Sequence, residues 1–291
     1  MFRKILLSTA FVYTSVAVVA QPVFIDSTEN NNVGMPRRLG QGNEMYTYYI
    51  KGADNARLKN ASLVVKLTGG GQQEARTVTF DIDKNTNILS SAASAMGVVF
   101  MTYNTTTQTA ALMASDFSGS GVQKKTIDGI GAEQTGWDSD IRLFSMMPEG
   151  YLLVMPDAKK RGYTVTAYSN NLTELWKEEA NHNMMEVVDA RMIAENLFVL
   201  RRELKDAKQQ KYAYSLQAIN TVNHAEQQVS ELKDENNNYC YATAINEQDG
   251  AVQVAGMCYK DGKFVQGLPA GVAVYEFEMS GRPMNKLFVD G

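Results

Sequence analysis

From residue 46 onward the chain is a succession of short runs in which apolar, β-branched and aromatic side chains cluster or alternate, separated by Gly, Asn, Asp and Ser. Runs of this kind, short and bounded by turn formers, predict β-strands. Residues 62–67 and 77–83 are the first two, broken by Gly69-Gly70-Gly71. Four later runs place a turn residue immediately before an apolar strand: Gly97-Val98-Val99-Phe100-Met101, Gly150-Tyr151-Leu152-Leu153-Val154, Asn196-Leu197-Phe198-Val199-Leu200 and Gly250-Ala251-Val252-Gln253-Val254. Those turn residues are 53, 46 and 54 positions apart. A strand precedes each (88–92, 141–146, 185–190 and 239–245) and a third follows (109–114, 163–168, 211–219 and 271–278), before a polar turn and a shorter fourth. A self-similar period of about 50 residues marks a repeat whose units bury their faces against one another.

One segment fits the register less well. Residues 171–180 (NLTELWKEEA) have helix propensity and an N-cap residue, whereas the repeat favours a strand ending near Trp176. In the last two units residues 203–210 and 259–268 lengthen the middle hairpin, and rim loops of this sort commonly build binding surfaces. The units from residue 87 to residue 291 resemble the β-propeller superfold of four-stranded blades. They look more like uncharacterised secreted bacterial propeller proteins than any named enzyme family. The expected fold is therefore all-β: either about five blades, closed by residues 46–83, or a fragment of a longer propeller. Lys125-Thr126-Ile127-Asp128-Gly129 is echoed by Leu287-Phe288-Val289-Asp290-Gly291, so the chain stops where a linker to another blade is expected. A pair of β-sandwiches is the other reading of the strand pattern. The resemblance implies architecture and not activity.

The N-terminus changes the compartment. Arg3 and Lys4 precede an apolar stretch over residues 5–20 that ends in Val18-Val19-Ala20, the layout of a secretory signal peptide cleaved before Gln21. As a membrane anchor the stretch is short and weakly apolar, and no later run is long enough to span a bilayer. Residues 1–20 are thus expected to be a signal peptide, 21–43 an extended arm rich in Asn, Gln, Gly and Pro, and 44–291 the propeller-like domain. The expected location is secreted, periplasmic or at the cell surface. The formal net charge of -4, with Arg37-Arg38 and Lys124-Lys125 as isolated basic pairs, provides no basic stripe for nucleic acid. In an oxidising compartment the two cysteines, Cys240 and Cys258, are expected to bridge. If Ile245 lies opposite Gln253 or its neighbour, the two fall opposite one another within a residue, close enough for a disulfide; two buried thiols are the alternative.

Candidate chemistry is sparse. His182 and His224 lie in Asn-flanked turns with no partner identifiable by spacing, and Gly119-Ser120-Gly121 lacks the spacing of a nucleophile elbow. Asp81, Asp83, Asn85 and Asn87 alternate like the start of a calcium loop, but Thr86 and Ala92 stand where Gly and Glu are needed. No metal site and no cofactor is expected. The remaining candidates are Trp137, Asp138, Asp140 and Asp189, near the entries to inner strands, where residues of several blades converge; Asp249 is a weaker member of the group. An aromatic beside paired acids suits contact with a protein, peptide or glycan, although Asp at a strand end is also an ordinary turn former. The chain is expected to be a binding or scaffolding module presenting rim loops. The alternative is a carbohydrate-active hydrolase using two central carboxylates.

Overall fold

The computed structural model describes residues 37–39, 45–54 and 57–68, and residues 77–290 except 84, 95–96, 117–120, 132–133, 135–139, 147–149, 158–161, 182–183, 209–210, 225–226, 234–238 and 260–269; side-chain packing is described from residue 78. The described residues form five four-stranded antiparallel sheets, each a meander of consecutive strands. Blade 1 comprises β1 (Arg37–Leu39), β2 (Met45–Asp54), β3 (Arg57–Thr68) and β4 (Thr77–Ile82). Blade 2 comprises β5 (Thr86–Ser94), β6 (Gly97–Asn104), β7 (Thr109–Asp116) and β8 (Gln123–Ile127). Blade 3 follows with β9 (Arg142–Ser145), β10 (Tyr151–Pro156), β11 (Gly162–Tyr168) and β12 (Glu174–Asn181). Blade 4 is β13 (Met185–Ile193), β14 (Asn196–Asp206), β15 (Lys211–Asn220) and β16 (Gln227–Glu231), and blade 5 is β17 (Tyr241–Gln248), β18 (Ala251–Cys258), β19 (Gly271–Phe277) and β20 (Pro283–Asp290). The first strands pack in chain order, β1 on β5, β5 on β9, β9 on β13 and β13 on β17. The fold is all-β and propeller-like, with five blades among the described residues, and β1 falls inside the stretch 21–43 that the sequence reads as an arm.

The register shifts one alignment by a residue. Ser94 pairs with Gly97, Ile193 with Asn196 and Gln248 with Ala251. Gly97 and Asn196 therefore match Ala251, not Gly250. Gly250 (φ 78°) lies with Asp249 (φ 52°) inside a two-residue turn whose left-handed backbone suits a tight hairpin. Because strand side chains alternate between faces, this shift sends Val252 and Val254 to the same face as Leu197 and Val199. Residues 174–181 are strand, not helix, and run beyond Trp176 to Asn181. Pairing with β11 along the whole segment outweighs its local propensity. The lengthened hairpin at 203–210 is strand as far as Asp206, which pairs with Lys211; of 259–268, only Tyr259 lies within the described residues.

The core lies between blades. Blade 2 meets blade 3 through Val99, Met101 and Leu112 against Leu143, Tyr151 and Leu153. Blade 3 meets blade 4 through Leu152, Val154 and Val165 against Leu197 and Val199. Phe198, Leu200 and Leu216 of blade 4 meet Val252, Val254 and Tyr275 of blade 5. Each such side chain contributes roughly 1.5–3 kcal/mol on burial. Sheets covered on both faces read as continuous apolar runs, and the second strands of blades 2 to 4 are accordingly buried over Gly97–Tyr103, Tyr151–Val154 and Asn196–Leu200. Blade 5 differs: β18 and β19 alternate between buried and more exposed positions. Cys240 and Cys258 form a disulfide with a Cα–Cα distance of 4.4 Å, the spacing of a narrow antiparallel pair. Among the described residues no helix is long and apolar enough to cross a membrane.

Candidate functional site

The inner strands hold one of the sequence candidates in a defined role. In β13 the pairing with β14 skips Val188, and in β5 the pairing with β6 skips Leu89. A bulge of this kind re-aims the residue after it. That residue is Ser90 in blade 2, whose Oγ accepts the amide of Leu143 in blade 3 at 3.0 Å. In blade 4 it is Asp189, whose Oδ2 accepts the amide of Ile245 in blade 5 at 2.9 Å. Oδ1 of Asp189 accepts the amide of Ala190, and Arg191 Nε stands 3.7 Å from the carboxylate. Asp189 thus joins two blades. Asp140 is exposed and 3.8 Å from Arg142, while Trp137 and Asp138 lie outside the described residues. Asp249 occupies a turn.

A cluster that the sequence reading missed gathers at the start of β15 and β17. The rings of Tyr212 and Tyr214 meet Tyr241 at centroid distances of 6.4 and 5.3 Å, and Tyr241 meets Tyr259 at 5.2 Å. Tyr214 and Tyr259 are buried, whereas Tyr212 and Tyr241 remain partly exposed. Beside them Arg202 lies 4.8 Å over the Tyr212 ring and donates to Glu186 at 2.5 and 2.7 Å. Burial pushes the Tyr214 hydroxyl above its ordinary pKa, against the opposing pull of Arg202. Next to the cluster Tyr239 donates to Glu231 at 2.5 Å, and Lys233 pairs with Glu231 at 2.6 Å. Those two hydrogen bonds, Lys233 first, hold the Glu231 carboxyl below its usual range. Lys205 pairs with Glu203 at 2.8 Å. The Cys240–Cys258 bridge, flanked in sequence by Tyr239, Tyr241 and Tyr259, ties the start of β17 to the end of β18. The available signal was the spacing: Tyr212 and Tyr214, then Tyr239 and Tyr241, each two residues apart in neighbouring units.

Other candidates have plainer surroundings. His224 stacks on Trp176 at 5.1 Å with the planes 13° apart, joining the outer parts of blades 3 and 4; His182 and Ser120 lie outside the described residues. Asp83 stands 3.7 Å from Lys124, and Asn85 donates to Thr106, so the calcium-like run serves strand ends. Among the described residues no group of three or more His, Cys, Asp or Glu is placed to hold a metal ion.

One family model, described as a family of unknown function (DUF6770), matches residues 1–289. The β-propeller domain of the Trilobed protease from Pyrococcus furiosus, described as having an open velcro topology, is similar with a TM-score of 0.52. The match has 10% identity and covers 89% of this chain and 70% of that chain. Dipeptidyl peptidase 4 of Porphyromonas gingivalis gives a TM-score of 0.52 at 11% identity over 87% of this chain, which spans only 37% of the peptidase chain. Likeness at this identity establishes the propeller fold alone. Comparison with curated protein sequences finds no match.

Proposed function

The chain belongs to DUF6770, and we propose that it is an exported binding module whose ligand, an uncharged glycan strand, lies along the tyrosine and arginine rim between blades 4 and 5. One observation carries the reading: partly exposed Tyr212 and Tyr241 stand among charges that are already paired, Arg202 with Glu186, Lys205 with Glu203 and Lys233 with Glu231. Aromatic rings offer apolar area with a polar tip. Cations and carboxylates held in pairs offer hydrogen-bond donors and acceptors side by side. A neutral polyol matches both. Export is supported by the N-terminal pattern and by a disulfide, which persists in oxidising compartments. Hydrolysis by two central carboxylates would draw on Asp140 and Asp189, which the structure engages with Arg142 and with Ile245.

Titration calorimetry of the protein against neutral and acidic polysaccharides tests the reading. Neutral glycan is expected to bind, and Tyr212→Ala or Tyr241→Ala to weaken it by about tenfold, roughly 1.4 kcal/mol. Binding confined to acidic glycans or peptides, or insensitivity to both substitutions, rejects it.

A further inference from the structure

The seam between blades 2 and 3 stays apolar toward the end at which the inner strands begin, where Ala110 and Met155 both belong to its core. In the seam between blades 3 and 4 the matching positions hold Tyr163 and Arg201. The Tyr163 hydroxyl donates to Gln217 Oε1. Arg201 Nη1 donates to the same oxygen at 3.0 Å and lies 3.4 Å from the Tyr163 hydroxyl, while its Nε donates to Ser215 Oγ at 3.0 Å. Gln217 Nε2 in turn donates to Gln227 Oε1 at 2.7 Å. Tyr163 and Gln217 are 2% and 6% exposed. Packing therefore fixes the groups that hold the guanidinium.

Among the described residues every acceptor that Arg201 meets is neutral. Glu203, two residues along the same strand, pairs with Lys205, and Glu231, opposite Ser215, pairs with Lys233. Arg201 Nη2 has no partner among the described residues and is not one of the enclosed unpaired atoms, so it opens outward. Arg201 as a whole is half-buried. A cation drawn partly out of water without a counter-ion is costly, and the apolar pair at the matching positions of the preceding seam shows that the fold itself does not need one there.

We propose that the seam between blades 3 and 4 holds a carboxylate-binding site, in which the ligand's carboxylate is the counter-ion of Arg201. Ser215 and Gln217 fix the plane of the guanidinium through Nε and Nη1, which leaves the Nη2 hydrogens as the donors to the ligand. One guanidinium carries a single charge on a planar, preorganised fork, and a monoanionic carboxylate matches it. A phosphate group, with close to two charges, would keep one uncompensated. The carboxylate is chemistry shared by an acidic sugar and the end of a peptide. Because strand side chains alternate between faces, Arg201 lies on the face of blade 4 opposite Arg202 and its tyrosine neighbours, and the proposal is independent of the glycan reading.

Thermal melts of the full chain with sodium glucuronate, sodium N-acetylglycinate or sodium chloride at equal ionic strength, and with glucose, test it. A carboxylate held by one charged group is expected to bind with a dissociation constant on the order of millimolar. At about ten times that concentration the melting temperature is expected to rise by about 3 °C. A rise with glucuronate alone assigns the site to an acidic sugar, and a rise with N-acetylglycinate alone to a peptide end; a rise with both assigns it to the carboxylate itself. Arg201→Gln is expected to abolish the rise. Gln217→Glu supplies a counter-ion from within the chain and is expected to abolish it too, so this variant decides if Arg201→Gln fails to fold. No rise with either acid overturns the proposal, as does an equal rise with chloride or glucose. A rise that survives in Arg201→Gln or in Gln217→Glu also overturns it.

Discussion

Gly150 has a backbone that other residues rarely adopt: φ is 130°, and an added Cβ would stand 2.3 Å from the carbonyl oxygen of Tyr168. Gly150→Ala is expected to cost about 3 kcal/mol in urea denaturation, combining strain and overlap with backbone that cannot give way. Asp189 is the instructive case at this scale. In the sequence it is a carboxylate near an inner strand, legible only as a turn former or a candidate acid. Its partner amide, Ile245, is 56 residues away, which no local pattern encodes. Asp189→Ala is expected to lower stability by about 2 kcal/mol by leaving amides of two strands without their acceptor. Asp189→Asn, which keeps one side-chain oxygen, is expected to recover part of it. Buried tyrosines set an alkaline limit. Tyr151, Tyr163, Tyr168 and Tyr214 are all held above the ordinary value of 10.0, first by burial of the phenol. Below about pH 10 these groups are neutral in both states and contribute no pH dependence. As pH rises past that point the unfolded chain ionises while the folded one resists, so stability falls. The urea midpoint is expected to fall from about pH 10 upward; a midpoint at about pH 11 equal to that at about pH 8 counts against it.

Strand positions were legible because each is a short apolar run beside a turn former, and because the run recurs. The disulfide followed from the same logic. Ile245 pairs with Val254, within a residue of the expected partner, and the bulge at Thr243 brings Cys240 opposite Cys258. The loop between the cysteines spans a separation of 18 residues, so reduction is expected to cost about 3 kcal/mol by freeing the unfolded chain. Thermal melts with and without a phosphine reductant measure it, and equal melting temperatures contradict it. Residues 171–180 show where element-level reading strains. Their helix propensity is real, but a strand at the outer edge of blade 3 gains a whole ladder to β11. The tyrosine rim was harder to see, since each pair of tyrosines looks like ordinary strand alternation until neighbouring blades bring them together.

Across the whole molecule, stability resides at the boundaries between blades. Phe198, fully buried between blades 4 and 5, is expected to cost about 3–5 kcal/mol as Phe198→Ala. Urea denaturation measures it, and a cost below about 1 kcal/mol would contradict an inter-blade core at that position. The all-β class, the four-stranded unit and the bridged cysteines were already determined by the sequence, because hydrophobic period, turn chemistry and antiparallel register are local properties that any fold of this chain must satisfy. Which face of blade 5 is covered, what Asp189 holds and where the tyrosines gather were decided only by the tertiary structure. Each depends on contacts between units about 50 residues apart, and a pattern that repeats from blade to blade cannot say which side chains of neighbouring blades meet.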